Sequence, residues 1–160
     1  MTDMATIPTK EELITLLQKG KVEEFNKVRP EREIDLVGAS LPGAILTRVN
    51  LREADLTGAD LIGADLTRAN LRRADLTRAN LRGANLRGAS LFRANLIRAS
   101  LFRANLSEAN FTKADLTEAD LSEAILSKTI FNEAHLYGAS CLPEEQQQLI
   151  IDQLKVSWNR

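Results

Sequence analysis

The chain has 160 residues, 44% of them hydrophobic, and a net charge of −1. It therefore holds enough apolar material for one self-sufficient domain and does not rely on overall charge to reach nucleic acid, membrane or an acidic substrate. A single cysteine, Cys141, excludes an internal disulfide, no apolar run approaches the roughly 18 residues of a membrane span, and the opening MTDMATIPTKEEL lacks the basic start and apolar stretch of a signal peptide; a cytoplasmic location is expected.

Residues 1–8 carry no periodic pattern and are expected to be a disordered start. Thr9-Lys10-Glu11-Glu12 has the form of a capping box, in which the Thr9 hydroxyl and the Glu12 carboxylate satisfy free amides at a helix start. Leu13, Ile14, Leu16 and Leu17 give that helix an apolar face, and Gly20 stands where a left-handed stop belongs. Val22, Phe25 and Val28 mark a second short helix, which ends before Pro30 because the residue preceding proline avoids helical angles. Residues 9–33 are thus expected to form a helical hairpin.

From residue 36 to residue 136 every fifth position holds Leu, except Phe111 and Phe131, giving 19 Leu and 2 Phe in 21 repeats. Two positions earlier stands Ala in 18 of 21, the exceptions being Ile34, Val49 and Thr129; the residue between is Asp or Asn in 14 of 21. After the repeats, Ser140-Cys141-Leu142-Pro143-Glu144-Glu145 places Pro and two acids where a helix start favours them. Residues 141–160 are expected to form a C-terminal helical cap with Leu149, Ile150, Leu154 and Trp158 as its buried stripe.

A period of five suits neither regular element. On an α-helix each Leu would move about 140° from the last and spiral round every side. On a straight strand successive Leu would alternate faces, because five is odd. What remains is a short extended piece with Ala and Leu pointing inward, followed by a bend that restores direction, so that residues 34–140 coil. Gly38, Gly43, Gly58, Gly63, Gly83 and Gly88 fall at that bend, where glycine's freedom is useful. Outward charges give the coil length: 20 residues per coil sets Glu53/Arg73, Arg98/Glu118, Arg103/Glu123, Glu108/Lys128 and Lys113/Glu133 one above the other and stacks Phe111 on Phe131. A spacing of 15 makes fewer opposite-sign neighbours. Four sides are therefore expected.

The tandem pattern A(D/N)LXX, seen in ADLTG (54–58), ANLRG (79–83) and ADLTE (114–118), resembles the pentapeptide-repeat family over about two thirds of the chain. The resemblance implies an all-β solenoid, a right-handed quadrilateral β-helix with four pentapeptides per coil, Leu at the centre of each side and Ala beside it. About five coils at ~4.8 Å each make a rod of roughly 25 Å. A lone coil cannot offset the entropy of ordering its backbone, so stacking and end caps are required. The departures Ile45 and Val49 near the start, and Ile125, Thr129 and Ile130 near the finish, mark the capped ends. Ile125 or Ile130 is expected to touch Leu149, Ile150 or Leu154.

An interior filled with Leu and Ala leaves no cleft for convergent catalytic groups, so no catalytic residue, cofactor or metal site is expected. His135 is the only histidine and Cys141 has no second soft ligand near it; both are read as structural. The column Asp35, Asp55, Asp75 and Asp115 is read as bonding local backbone at bends rather than as acid/base pairs or cation sites. RGANLRGAS lacks the lysine and the strand-to-helix context of a phosphate loop.

Charge is unevenly spread: residues 36–105 hold 11 Arg and 5 acids, a balance of +6, whereas residues 106–140 hold 2 Lys and 6 acids, a balance of −4. One outer face gathers Arg52, Arg72, Arg73, Phe92, Arg93 and Lys113; a second gathers Ile62, Arg82, Phe102 and Arg103. Outward Phe among Arg suits a protein partner or a weak nucleic-acid surface, against the plainer reading that Arg stems cover apolar neighbours while their charge stays wet. The expected role is a non-enzymatic protein-interaction or scaffolding module, monomeric rather than dimeric, with an unidentified protein partner, no membrane association, and nucleic-acid binding by the Arg belt disfavoured. The resemblance implies the same, since family members are mostly of unassigned role and abundant in photosynthetic bacteria, one of them regulating cell differentiation. It also offers an alternative, DNA mimicry toward a type II topoisomerase, as in quinolone-resistance members; those present a markedly acidic rod, and this repeat array does not.

Overall fold

The structure, a computed structural model, describes residues 7–31, 34–140 and 150. The chain opens with two short helices. The first, α1 (Lys10–Gln18), starts on the expected capping box: the Glu12 amide donates to Thr9 Oγ1 at 3.2 Å and the Thr9 amide donates to Glu12 Oε2 at 2.8 Å. It stops at Gly20, whose φ of 65° lets the Gly20 and Lys21 amides turn back to the Leu17 and Leu16 carbonyls at 3.0 and 2.9 Å, the paired bonds of a Schellman end. The second, α2 (Val22–Val28), ends at Arg29, held extended ahead of Pro30. Leu13, Leu17 and Phe25 are buried in the same apolar cluster as the first leucines of the repeats. Val28, expected on the apolar face, is 45% exposed and borders a surface hollow with Ile7, Pro8 and Leu16, while Phe25 is the residue of α2 that reaches the core.

Beyond Ile34 the chain repeats one motif. The residue before each centre bridges in parallel to the residue 20 positions on, from Asp35 with Asp55 to Asp120 with Ser140. A 20-residue step over a five-residue repeat makes a coil of four sides. The centres of the first side are Leu36, Leu56, Leu76, Leu96, Leu116 and Leu136; the second, third and fourth sides begin at Leu41, Leu46 and Leu51. Each bridge is isolated, so the described residues contain no multi-residue strand; the chain bends before a second consecutive pair can form.

Between coils the pattern is three backbone bonds per pentapeptide. In the third side the Leu66 amide donates to the Asn85 carbonyl at 2.7 Å, Arg68 to Arg87 at 2.9 Å, and Asn85 to Ala64 at 2.9 Å. Within each corner an amide folds back three residues, as from Ala69 to the Leu66 carbonyl at 2.9 Å. That closed four-residue turn needs a positive φ at its third residue. The six expected glycines and Gly138 supply it, yet so do fourteen Arg, Lys and Glu residues, with φ between 54° and 62°. All 21 corners thus share one left-handed conformation.

Every centre from Leu36 to Leu136 and every inward Ala from Ala39 to Ala134 is buried, and Ala139, at the end of the array, is partly buried. Phe111 and Phe131 stack with centroids 5.3 Å apart and planes 14° from parallel. Thr129 takes an inward Ala position and is buried, and its hydroxyl donates to the Leu106 carbonyl at 2.8 Å, which removes the cost of burying it.

The helices α1 and α2 cover the open face of the first coil, and they do so one side at a time. Lys10 Nζ donates to the Val37 carbonyl at 2.9 Å, Gln18 to Ser40 at 3.0 Å and Arg29 to Arg52 at 3.4 Å. Asn26 imitates a missing coil: its amide nitrogen donates to the Arg48 carbonyl at 3.3 Å while its oxygen accepts from the Asn50 amide at 2.8 Å. An exposed ladder edge is a template for aggregation, and these four side chains occupy it.

Of the expected C-terminal cap, Ile150 is 3% exposed and belongs to the apolar core; residues 141–149 and 151–160, with Cys141, Leu149, Leu154 and Trp158, lie outside the described residues, as do residues 1–6 and 32–33. Ile125 and Ile130 hold the outward position given elsewhere to Asp or Asn, and are 54% and 40% exposed.

Candidate functional site

Because the inward positions are consumed by packing, only the residue before each centre and the two corner residues face outward. The first of these is occupied locally. All fourteen Asp and Asn residues there accept the backbone amide two residues on, as Asp55 does from Thr57 at 2.9 Å and Asn95 from Ile97 at 3.1 Å. The Asp column of the first side therefore serves the bends. Hydrogen bonding from the Thr67 hydroxyl and amide, and from Thr47, holds Asp65 below the usual carboxylate range although its partial burial works the other way. Donation from Lys10 Nζ and from the Val37 amide does the same for Asp35. His135 Nδ1 stands 3.9 Å from Asp115 Oδ2 with its ring largely exposed, and among the described residues no group of three or more metal-ligating side chains stands together.

The corners carry the remaining chemistry. On the fourth side Arg52, Arg72, Phe92 and Arg73, Arg93, Lys113 form two adjoining columns. The guanidiniums of Arg72 and Arg93 both lie over the Phe92 ring, 4.9 and 5.3 Å from its centroid. Glu53, outside the expected set, draws in Arg52 at 3.2 Å and Arg73 at 3.5 Å. Lys113 turns away to Glu133 at 3.4 Å. On the second side, which faces the opposite way, Arg82 and Arg103 flank Phe102 at 5.0 and 4.8 Å. Ile62 stands one coil below Arg82, 42% exposed. Both phenylalanines are half-buried beneath Arg stems, so the plainer reading of these residues and the functional one describe the same arrangement.

Ion pairs between coils follow the 20-residue register. Arg98 meets Glu118 at 2.5 Å and Arg103 meets Glu123 at 2.6 Å; the Arg98 hydrogen bond lowers Glu118 and raises Arg98 from their ordinary values. Glu108, expected opposite Lys128, instead takes Arg87 at 3.0 Å, because the longer guanidinium arm reaches it from the neighbouring corner column. These pairs take up Glu108, Glu118, Glu123 and Glu133. They offset only part of the basic surplus of residues 36–105, and Arg48, Arg68 and Arg78 have no carboxylate partner among the described residues. Arg48 and Arg68 went unremarked in the sequence, although the same register stacks them in one column of the third side.

No described helix is long and apolar enough to cross a membrane. None of the curated proteins matches the chain. Solved structures do. A pentapeptide repeat protein, Rfr23, from the cyanobacterium Cyanothece 51142 is 34% identical over 64% of this chain and 59% of its own, with a TM-score of 0.44. HetL, a pentapeptide repeat protein involved in heterocyst differentiation regulation in Nostoc sp. strain PCC 7120, is 39% identical over 66% and 56%, with a TM-score of 0.27. A pentapeptide repeat protein of the Arabidopsis thaliana thylakoid lumen is 35% identical over 62% and 75%, at 0.31. The chain thus spans less than two thirds of the first two. The family model "Pentapeptide repeats" matches in eight copies over residues 32–68, 69–107 and 104–140. With the five-residue motif, the four-sided register and that match all falling on the same residues, the chain belongs to the pentapeptide-repeat family, whose members form right-handed quadrilateral β-helices.

Proposed function

We propose that the protein is a non-enzymatic interaction module of the cytoplasm, monomeric, reading a protein partner with one outer face of a body of about five coils closed by helical caps at both ends. The observation that carries this reading is Phe92, an outward aromatic ring in contact with the Arg72 and Arg93 guanidiniums. Aromatic and Arg side chains are the residues that dominate interface energies when a partner desolvates them. A ring already held by two guanidiniums has little rotamer freedom left to lose on binding. The packed interior supports the same reading, since burial of the centres and of the inward Ala from Ala39 to Ala134 leaves recognition to the outside.

The test is affinity capture from the native cell with wild type, Phe92→Ala, Arg93→Glu and, on the opposite face, Phe102→Ala. A partner retained by Phe102→Ala and lost with both fourth-side variants supports the reading; equal retention by all four sinks it. DNA mimicry toward a type II topoisomerase needs an acidic surface, against the +6 of residues 36–105, and inhibition of gyrase supercoiling at low micromolar protein would favour it instead. Binding to oligonucleotides that collapses with added salt would favour the Arg belt as a nucleic-acid surface.

A further inference from the structure

The third-side corner holds a feature that neither Phe face includes. Its outer column runs Arg48, Arg68, Gly88, Glu108, Lys128, so four side chains project and one is missing. The gap opens a hollow of about 370 Å³ lined by Thr47, Arg48, Thr67, Arg68, Arg87 and Glu108 around Gly88. Arg68 leans over the gap, its Cγ 3.5 Å from where a Gly88 Cβ would stand. Three guanidiniums meet there with one carboxylate, and that carboxylate is bound to Arg87 at 3.0 Å. The threonine hydroxyls are spoken for: Thr47 and Thr67 both donate to Asp65, and Thr67 also accepts from Asn85 at 2.9 Å. The guanidiniums of the hollow that have no carboxylate partner are therefore those of Arg48 and Arg68.

From this arrangement we infer that the Gly88 hollow binds a phosphate dianion, gripped by Arg48 and Arg68. Two planar guanidiniums carried on corners one coil apart, about 4.8 Å along the stack, can converge on the oxygens of one tetrahedral group, and Arg is the side chain suited to such forked bonding. A dianion balances the two uncompensated positive charges, which a single carboxylate does not. The glycine matters for its missing side chain and not for its backbone. Gly88 has a φ of 65°, and charged residues adopt the same conformation in the same column, Arg48 at 61°, Arg68 at 56° and Glu108 at 62°.

The hollow can therefore be closed without disturbing the fold. Gly88→Glu fills it and cancels charge, Arg48→Gln and Arg68→Gln remove the grip, and Arg78→Gln serves as a control because Arg78 is equally unpaired but belongs to a different corner. The experiment is a titration of the intact protein with inorganic phosphate, and separately with O-phosphoserine, at constant ionic strength set by chloride, followed by the NMR shifts of the Gly88 amide and the arginine Nε–H groups. Saturable shifts centred on Gly88, Arg48 and Arg68 are expected, weakened on the order of tenfold by each Arg→Gln change, abolished by Gly88→Glu, and unaltered by Arg78→Gln. A response to O-phosphoserine alone would identify a phosphorylated protein segment as the source, and a response to inorganic phosphate a free ion. Shifts that fail to saturate with either probe, or that Arg78→Gln weakens as much as Arg68→Gln, would overturn the assignment. Thermal unfolding of each variant confirms that it is folded when titrated.

Discussion

Leu86 and Arg78 stand in the same coil, on opposite sides of it, and obey opposite rules. Leu86 is fully buried, and all 21 equivalent centres hold Leu or Phe, because only a large apolar side chain fills the axis at close-packed density. Arg78 stands at a corner whose backbone conformation is as strict, yet the equivalent positions hold Gly, Arg, Lys or Glu. At the centres the side chain is dictated and at the corners only the backbone is. The difference separates two kinds of information: inward columns specify the coil, and outward corners are left for whatever the surface must recognise.

The sharpest way to break that comparison is to truncate one member of each class. Leu86→Ala leaves a cavity in the middle of the stack and is expected to cost about 2–5 kcal/mol, while Arg87→Ala, one residue on, loses an exposed pair with Glu108 worth under about 1 kcal/mol. Thermal or denaturant unfolding measures both. Comparable losses would mean that corner side chains help to specify the coil. Asn26 sharpens the comparison at the end of the stack, where a side chain substitutes for a coil. Asn26→Ala is expected to cost about 1 kcal/mol, and hydrogen exchange at the Asn50 amide, which donates to Asn26 Oδ1, should accelerate while amides of the central coils stay unchanged.

Acid reports on the same end. Asp35 is held below its ordinary value by Lys10 and by the Val37 amide, so its contribution is present above the unfolded value of 3.8 and is lost as pH falls through the lower folded value. Its side chain is largely exposed, which keeps the effect under about 1 kcal/mol. Exchange of the Leu13 and Leu17 amides should quicken below about pH 4 in wild type and lose much of that pH dependence in Asp35→Asn.

What could be read from the sequence follows the same division. The centre leucines announce themselves because no other period explains them, and Glu53, Glu118, Glu123 and Glu133 settle the coil length through their partners one coil away. The capping box at Thr9 and the stop at Gly20 were legible for local reasons. Corners were only half legible: glycine at residue 83 signals a left-handed turn, whereas arginine at residue 103 gives no such sign, since its conformation is imposed by bonds to coils on either side. The Asn26 contacts and the Gly88 hollow were hidden for a further reason. Each depends on which side chain is absent or substituted in a column, and a column exists only once the register is known.

The smallest expected effect tests whether an unpaired corner arginine does anything for the fold. Arg78 has a φ of 56° and no carboxylate partner among the described residues. Left-handed geometry costs an L-residue roughly 1–2 kcal/mol, and Arg78→Gly removes that cost while adding about 0.5–1 kcal/mol of chain entropy to lose on folding. The balance is a gain of about 0.5 kcal/mol, or about 1–2 °C in the unfolding midpoint for a chain of this size. A small rise would mean that the protein gives up stability to keep an arginine there, as selection for a surface function would require. A fall would mean that the Arg78 stem covers apolar surface between coils, and the boundary between dictated and free positions would have to be moved outward to include it.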